Sequence, residues 1–286
     1  MIIDTPSSVL IGLIGAGIQA SRTPAMHERE GDRQGLRYLY RKIDLDLLGL
    51  GAEALPELLT AAERMGFAGL NITYPCKQQV IPLLTELSDD ARALNAVNTV
   101  VLGGGRRIGH NTDGWGFAES FRRNLPGVPL QRAVQLGSGG AGAAVAHALL
   151  SLGVGHLSIY DIDRSKSQQV VESLTARFGS GRATAIIELP EAVATADGIV
   201  NTTPVGMAKL PGLPLPAELL RTDLWVAEIV YFPLETELLR VARSLGCRTL
   251  HGGGMAVFQA VRAFELFTGI RPDAERMLQH FATMGY

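Results

Sequence analysis

The sequence predicts an α/β chain of two domains, the second built on a doubly wound parallel sheet. Three observations carry that expectation. The chain has 286 residues, enough for about two hydrophobic cores. Short runs rich in β-branched and apolar residues alternate with stretches of helical period along its whole length. From Gln131 onward the pattern tightens into strand, glycine loop, helix and strand again. The expected division is residues 1–110, 111–252 and 253–286, the last a pair of helices packing back on the first domain.

In order, Ser8–Gly15 reads as a buried strand, residues 24–31 as a helix with Pro24 in its first turn, and residues 38–43 as a second strand. Residues 55–65 carry a helical period that stops at Gly66, and 67–72 reads as a strand. Pro75 is expected to open a helix with Lys77 in its first turns. Residues 97–102 form the next strand, before a glycine turn at 103–105, in a layer of parallel crossovers. In the second half, 133–136 is a strand, 137–142 a loop, 143–152 an alanine-rich helix and His156–Tyr160 a strand. Further strands are expected at 185–188, Gly198–Asn201, 225–230 and Arg248–Leu250, with closing helices at 255–268 and 272–284.

Composition removes several functions. With 26 basic against 28 acidic residues, a formal net charge of −2, the chain has no global attraction for nucleic acid or an anionic membrane. No apolar run reaches spanning length, and the first residues lack the basic flank and cleavage site of a signal peptide, so a cytoplasmic location is expected. The two cysteines, Cys76 and Cys247, are too few for a disulfide framework or a zinc site, although Lys77 beside Cys76 favours a thiolate there. The six histidines form no HxxxH or HExxH pair, and no metal is expected. The partner expected is a small molecule bound by a monomer or homodimer, with neither nucleic acid nor membrane.

Two glycine loops follow predicted strands. Gly15-Ala16-Gly17-Ile18-Gln19-Ala20 fits GxGxxA, and Gly137-Ser138-Gly139-Gly140-Ala141-Gly142 fits GxGxxG. A dinucleotide loop must present backbone amides to a pyrophosphate at a helix N-terminus, with an acidic residue on the next strand for the ribose. Only the second loop has these parts: a strong helix former follows it, and Asp161 lies 19 residues beyond Gly142 at the end of an apolar strand. After Ala20 the sequence Ser-Arg-Thr-Pro interrupts the helix. The second domain is therefore expected to be a Rossmann domain. Asp161 favours NAD, because a carboxylate bonds ribose hydroxyls and repels a 2′-phosphate, and neither Ile162 nor Asp163 can clasp one. Arg164 and Lys166 lie near enough to leave some NADP use open.

Polar groups gather at expected strand ends, where α/β folds keep their chemistry: Asn71 to Lys77, Asn98-Thr99 and His110-Asn111-Thr112-Asp113. These segments, with Ser21-Arg22-Thr23-Pro24, Asn201-Thr202-Thr203-Pro204, Val230-Tyr231 and Met255 to Gln259, recur in order, and the chain resembles the shikimate/quinate dehydrogenase family over almost its whole length. The resemblance implies an α/β substrate domain, a Rossmann domain, and C-terminal helices returning to the substrate domain. It implies an NAD-dependent enzyme passing hydride from the C3 hydroxyl of shikimate or quinate to a nicotinamide. By similarity, Ser21 and Thr23 hold the ring carboxylate, while Asn71, Thr73, Asn98, Tyr231 and Gln259 surround the ring, and Lys77 and Asp113 are the catalytic pair. Cofactor contacts fall on Gly137, Ser138, Gly139, Gly140, Ala141, Gly142, Asp161, Arg164, Thr203, Pro204, Val230, Gly254 and Met255.

The chemistry asks for such groups, since hydride loss from a carbinol carbon requires its hydroxyl proton to be accepted or relayed. An ionised Asp113 beside Lys77 would favour the ammonium, so Lys77 is expected chiefly to steady negative charge and relay the proton. Thr23, where shikimate-specific relatives usually carry serine, resembles the branch that also takes quinate. Asn95, Glu228 and Phe258 also depart from the usual pattern. Two alternatives stay open: the same chemistry on another hydroaromatic or amino-substituted ring acid, and a non-catalytic sensor of NAD or a ring acid.

Overall fold

The computed structural model describes residues 8–284. The N-terminal segment read for a leader, and the outermost residues of the first and last expected domains, lie partly or wholly outside that range. The described chain divides between two compact units, the first ending at Thr112 and resuming at Gln259, the second running from Asp113 to Phe258.

The first unit holds a six-stranded sheet of β1 (Ser8–Gly15), β2 (Arg37–Asp44), β3 (Gly69–Ile72), β4 (Glu86–Leu87), β5 (Thr99–Gly103) and β6 (Arg106–His110), in the order β2-β1-β3-β5-β6-β4. Strand β1 is apolar on both faces because both are covered. Ile11 and Leu13 pack with Tyr38, Tyr40, Phe264 and Phe267, whereas Ile14 packs with Leu55, Leu59 and Leu70 on the opposite side. The chain's last helix, Ala274–Thr283, is tied to helix Thr23–Arg33 in this unit. Buried Glu30 accepts from Arg276 Nε at 2.8 Å and Nη2 at 2.6 Å, and from the Asp273 amide at 2.9 Å. The C-terminal helices thus return to the first sheet.

Three sequence expectations are corrected here. The layer is mixed rather than wholly parallel, because β5 runs antiparallel to both β3 and β6. Strand β6 was not expected, since Arg106-Arg107-Ile108-Gly109-His110 lacks an apolar run and becomes a strand by pairing across the Gly104-Gly105 turn. Pro75 opens no helix: residues 74–80 are successive turns. The Lys77 carbonyl accepts from the Val97 amide at 2.8 Å, a tertiary bond that takes the place of a helical one.

The second unit holds β7 (Arg132–Leu136), β8 (His156–Tyr160), β9 (Ala183–Ile186), β10 (Gly198–Asn201), β11 (Trp225–Glu228) and β12 (Arg248–Leu250). All pair in parallel, in the order β12-β11-β10-β7-β8-β9. The chain builds outward from β7 in one direction and then returns to build outward through β10 in the other. The switch point lies between β7 and β10, where such sheets bind ligands at their carboxyl edge. Helices cover both faces: Ala133 joins the cluster of Phe117, Val145 and Leu174, and Val134 joins that of Val193, Ile199 and Leu238. Trp225 is buried flat over Gly198, where a Cβ would come within 1.9 Å of the indole.

Candidate active site

In the first unit the polar residues collect at the carboxyl ends of β1 and β3. The Gly17 and Ile18 amides donate to the two carboxylate oxygens of Asp44 at 3.0 and 3.1 Å, and Gln19 Nε2 adds a bond of 2.8 Å. Those bonds, Gln19 foremost, hold the Asp44 carboxyl below its ordinary range. The first glycine loop is thus filled by the chain's own anion. It carries the chain to half-buried Ser21 and Thr23, whose first contact is the Thr23 amide on Ser21 Oγ at 3.4 Å.

Asn71 and Asn98 are brought together directly. Asn71 Nδ2 donates to the Asn98 carbonyl at 3.2 Å and to Thr99 Oγ1 at 3.0 Å. Asn98 Oδ1 accepts from the Thr112 amide at 2.9 Å, while its Nδ2 donates to Thr112 Oγ1 at 3.0 Å. A residue that sequence reasoning missed orients this pair: buried Tyr40 donates its hydroxyl to Asn71 Oδ1 at 2.6 Å. Its only sequence signal was an inward position on a strand, which any core tyrosine shares. Thr73 packs so closely on Gly15 that a Cβ there would lie 2.3 Å from Thr73 Cγ2. Lys77 is half-buried on the same turn segment. Gln259 lies in the helix Gly253–Thr268. The thiolate expected at Cys76 is overturned, because the side chain is buried and burial pushes its pKa up.

In the second unit the other glycine loop spans β7 and the helix Gly140–Ser151. Gly137 turns at φ +90° and donates its amide to Tyr160 at 2.8 Å. Ser138 reaches the Asp161 carboxylate through both its amide and its hydroxyl, each at 2.7 Å. Gly139 and Gly140 face open space, and no side chain caps the helix. Gly142 must be glycine: a Cβ would lie 2.7 Å from Thr202 Oγ1 and 2.8 Å from the Gly137 carbonyl. Uncapped amides at a helix start, bare glycine backbone and an acid on the next strand fit a dinucleotide pyrophosphate and ribose. Asp161 keeps acceptor capacity on Oδ1, which among the described residues takes only the Asp163 amide at 2.9 Å.

The remaining expected contacts lie on the same unit. Thr203 donates its amide and hydroxyl to Asn201 Oδ1 at 3.0 and 2.7 Å, Pro204 beside it is exposed, and Val230 donates its amide to Glu228 Oε1 at 2.9 Å. Tyr231 is exposed, Met255 half-buried, and Gly254 lies so close to Ser120 that a Cβ would come within 2.0 Å of its Oγ. Asp113 is buried in the first turn of helix Asp113–Asn124. Arg164 is exposed, and Lys166 lies 3.7 Å from Asp163. Among the described residues no helix is long and apolar enough to cross a membrane.

The fold and the glycine loop define a nucleotide-binding α/β protein of two units. Residues 13–100 match the shikimate dehydrogenase substrate binding domain, and residues 252–280 match the shikimate 5'-dehydrogenase C-terminal domain. A Streptomyces avermitilis protein named shikimate dehydrogenase (NADP(+)) is 60% identical over 98% of this chain and 97% of its own. A Corynebacterium efficiens quinate/shikimate dehydrogenase (NAD(+)) is 48% identical over 97% of this chain and 99% of its own. The solved structure of quinate dehydrogenase from Corynebacterium glutamicum in complex with NAD superposes with a TM-score of 0.93 at 47% identity, covering 97% and 100% of the two chains. The chain belongs to the shikimate/quinate dehydrogenase family.

Proposed function

We propose that this protein oxidises the C3 hydroxyl of shikimate, quinate or both, with NAD as acceptor, most ring-acid contacts falling on the first unit and the cofactor contacts on the second. The observation that carries the cofactor reading is the Asp161 carboxylate, fixed by Ser138 at the end of β8 with Oδ1 still able to accept from a ribose hydroxyl. A 2′-phosphate brought to the same place would meet like charge. The names of relatives divide on this point, one carrying NADP(+) and another NAD(+). Exposed Arg164, with no ion pair among the described residues, favours some NADP use as a second reading.

On this reading the amides of residues 139–142 hold the pyrophosphate, Ser138 beside them spends its own amide on Asp161, and Thr203, Pro204, Val230, Gly254 and Met255 complete the cofactor's surroundings. The nicotinamide, when bound, supplies the hydride acceptor. Ser21 and Thr23 hold the ring carboxylate through their hydroxyls. Asn71, Thr73, Asn98, Tyr231 and Gln259 fix the ring hydroxyls, Asn71 and Asn98 being locked amides rather than free rotors. Lys77 steadies charge on the C3 oxygen and relays its proton, and Asp113 is the second group of that proton chemistry. The test is kcat/KM for quinate and shikimate, each with NAD and NADP. Strong turnover with NAD supports the reading. No turnover in any pair, from folded protein that binds NAD, moves it to another ring acid or a sensor.

A further inference from the structure

Glu228 closes β11 fully buried, and among the described residues it makes no ion pair. Its carboxylate is met only by hydrogen-bond donors. Asn201 Nδ2 lies 3.0 Å from both oxygens, the Val230 amide 2.9 Å from Oε1, and the Thr236 hydroxyl 3.2 Å from Oε2. These donors come from the end of β10, from the residues after β11, and from the start of helix Glu237–Ser244. Asn201 passes the constraint on, because its Oδ1 takes both the amide and the hydroxyl of Thr203 while its Nδ2 also donates to the Val205 carbonyl at 2.9 Å. The Asn201 amide cannot turn over without setting an N–H against the Thr203 N–H. Gly206 roofs the cluster at φ +105°, where a Cβ would lie 3.6 Å from Glu228 Oε2. One acid thus links Thr203 on one loop to Val230 on the next.

The sheet order says which part of a dinucleotide these loops would face. With the pyrophosphate at the loop after β7 and the adenosine ribose at Asp161 after β8, the other half extends over the ends of β10 and β11. We propose that Glu228 is a positioning residue for the nicotinamide half of the cofactor, holding Thr203 and Val230 in place by joining their two loops through a single carboxylate. The proposal rests on the cofactor reading above. Burial pushes the Glu228 carboxyl up to about 7 against the pull of its hydrogen bonds, so near neutral pH the acid stands between its charged and neutral forms.

The test uses the full chain as wild type, Glu228→Gln and Glu228→Asp, with calorimetric titration of ADP-ribose and fluorescence titration of NADH. Glutamine puts a donor where Asn201 and Thr236 both donate. Aspartate keeps the charge on a shorter arm. We expect ADP-ribose affinity to stay within about twofold in every variant, because its contacts lie at β7 and β8. NADH affinity of Glu228→Gln should fall roughly tenfold, with loss of the emission enhancement of the bound nicotinamide, and Glu228→Asp should recover part of both. NADH binding and emission unchanged in Glu228→Gln overturn the proposal. Parallel loss of ADP-ribose and NADH also overturns it, by assigning Glu228 to the fold as a whole. Wild-type protein that binds neither ligand removes the cofactor reading, and the proposal with it.

Discussion

Ser138 donates its backbone N–H and its hydroxyl to the same oxygen of Asp161, Oδ2, each at 2.7 Å. Hydrogen bonds to a charged acceptor are the strong ones, and two of them fix the carboxylate to the glycine loop. On the proposed cofactor reading, the negative charge would then be held at the adenosine end rather than free to swing away from a 2′-phosphate. Asp161→Ala should weaken NAD while sparing NADP, lowering the ratio of their kcat/KM values at least tenfold, by about the 1.4 kcal/mol of one charge-assisted bond. Ser138→Ala should move the ratio the same way by less, since the amide bond remains. A ratio unchanged in Asp161→Ala would falsify the assignment.

On the proposed reading, Lys77 is the residue on which the chemistry depends most. Lys77→Ala should lower kcat by about 10²–10⁴, the usual contribution of a positioned proton-transfer group, and leave the Kd for NAD unchanged. Near-normal turnover would take Lys77 out of the reaction. Parallel loss of NAD binding would mean that the substitution disturbs more than proton transfer.

On the proposed reading, Tyr40 bears on substrate binding through Asn71 without needing to touch substrate. Its hydroxyl on Asn71 Oδ1 at 2.6 Å, opposite the two bonds from Asn71 Nδ2, leaves the amide a single orientation. Tyr40→Phe should raise KM for the ring acid by about tenfold, the equivalent of one buried hydrogen bond, with a smaller change in kcat. Equal falls in kcat and kcat/KM would place the effect in the transition state instead.

What the sequence made legible follows from the range of the forces involved. The strands Ser8–Gly15 and His156–Tyr160 and the glycine loop at 137–142 were readable because their signals are local: continuous apolar runs, and glycines at fixed spacing before a helix former. The turns at 74–80 were not, because the partner of the Lys77 carbonyl is Val97, beyond any local window. The Ser-Arg-Thr-Pro interruption marked the first glycine loop as a poor phosphate site, yet the residue that fills it, Asp44, comes from the end of the next strand. The site motifs stood out through their likeness to relatives, whereas Tyr40 had no motif to belong to. Glu228 was visible only as an acid at an altered position, and its three donors become apparent when β10 and β11 lie side by side and the next helix starts beside them.

Two buried groups of opposite sign give the protein a pH signature. Burial raises the Glu228 carboxyl from 4.5 to about 7, so the folded chain keeps that proton longer than the unfolded chain. The resulting stability is fully present below pH 4.5 and lost as pH rises to 7, about 3 kcal/mol at about 1.4 kcal/mol per unit. His27 is buried among Tyr38, Tyr40, Phe264 and Phe267, with Nδ1 on the Tyr38 hydroxyl at 2.9 Å and Nε2 without a hydrogen-bond partner among the described residues. Burial lowers its pKa from 6.5 to about 3, so its contribution is present above pH 6.5 and lost as pH falls to 3, about 5 kcal/mol. Between pH 4.5 and 6.5 the two slopes oppose each other, and a chain that unfolds in one step would show them nearly cancelled. His27 belongs to the first unit and Glu228 to the second, so units that melt separately would shift in opposite directions over that window. Calorimetric scans of wild type, His27→Gln and Glu228→Gln from pH 4 to 8 separate these cases. Each substitution should flatten only its own group's slope, and a wild-type-minus-variant difference independent of pH would show that the residue keeps its ordinary pKa in the fold.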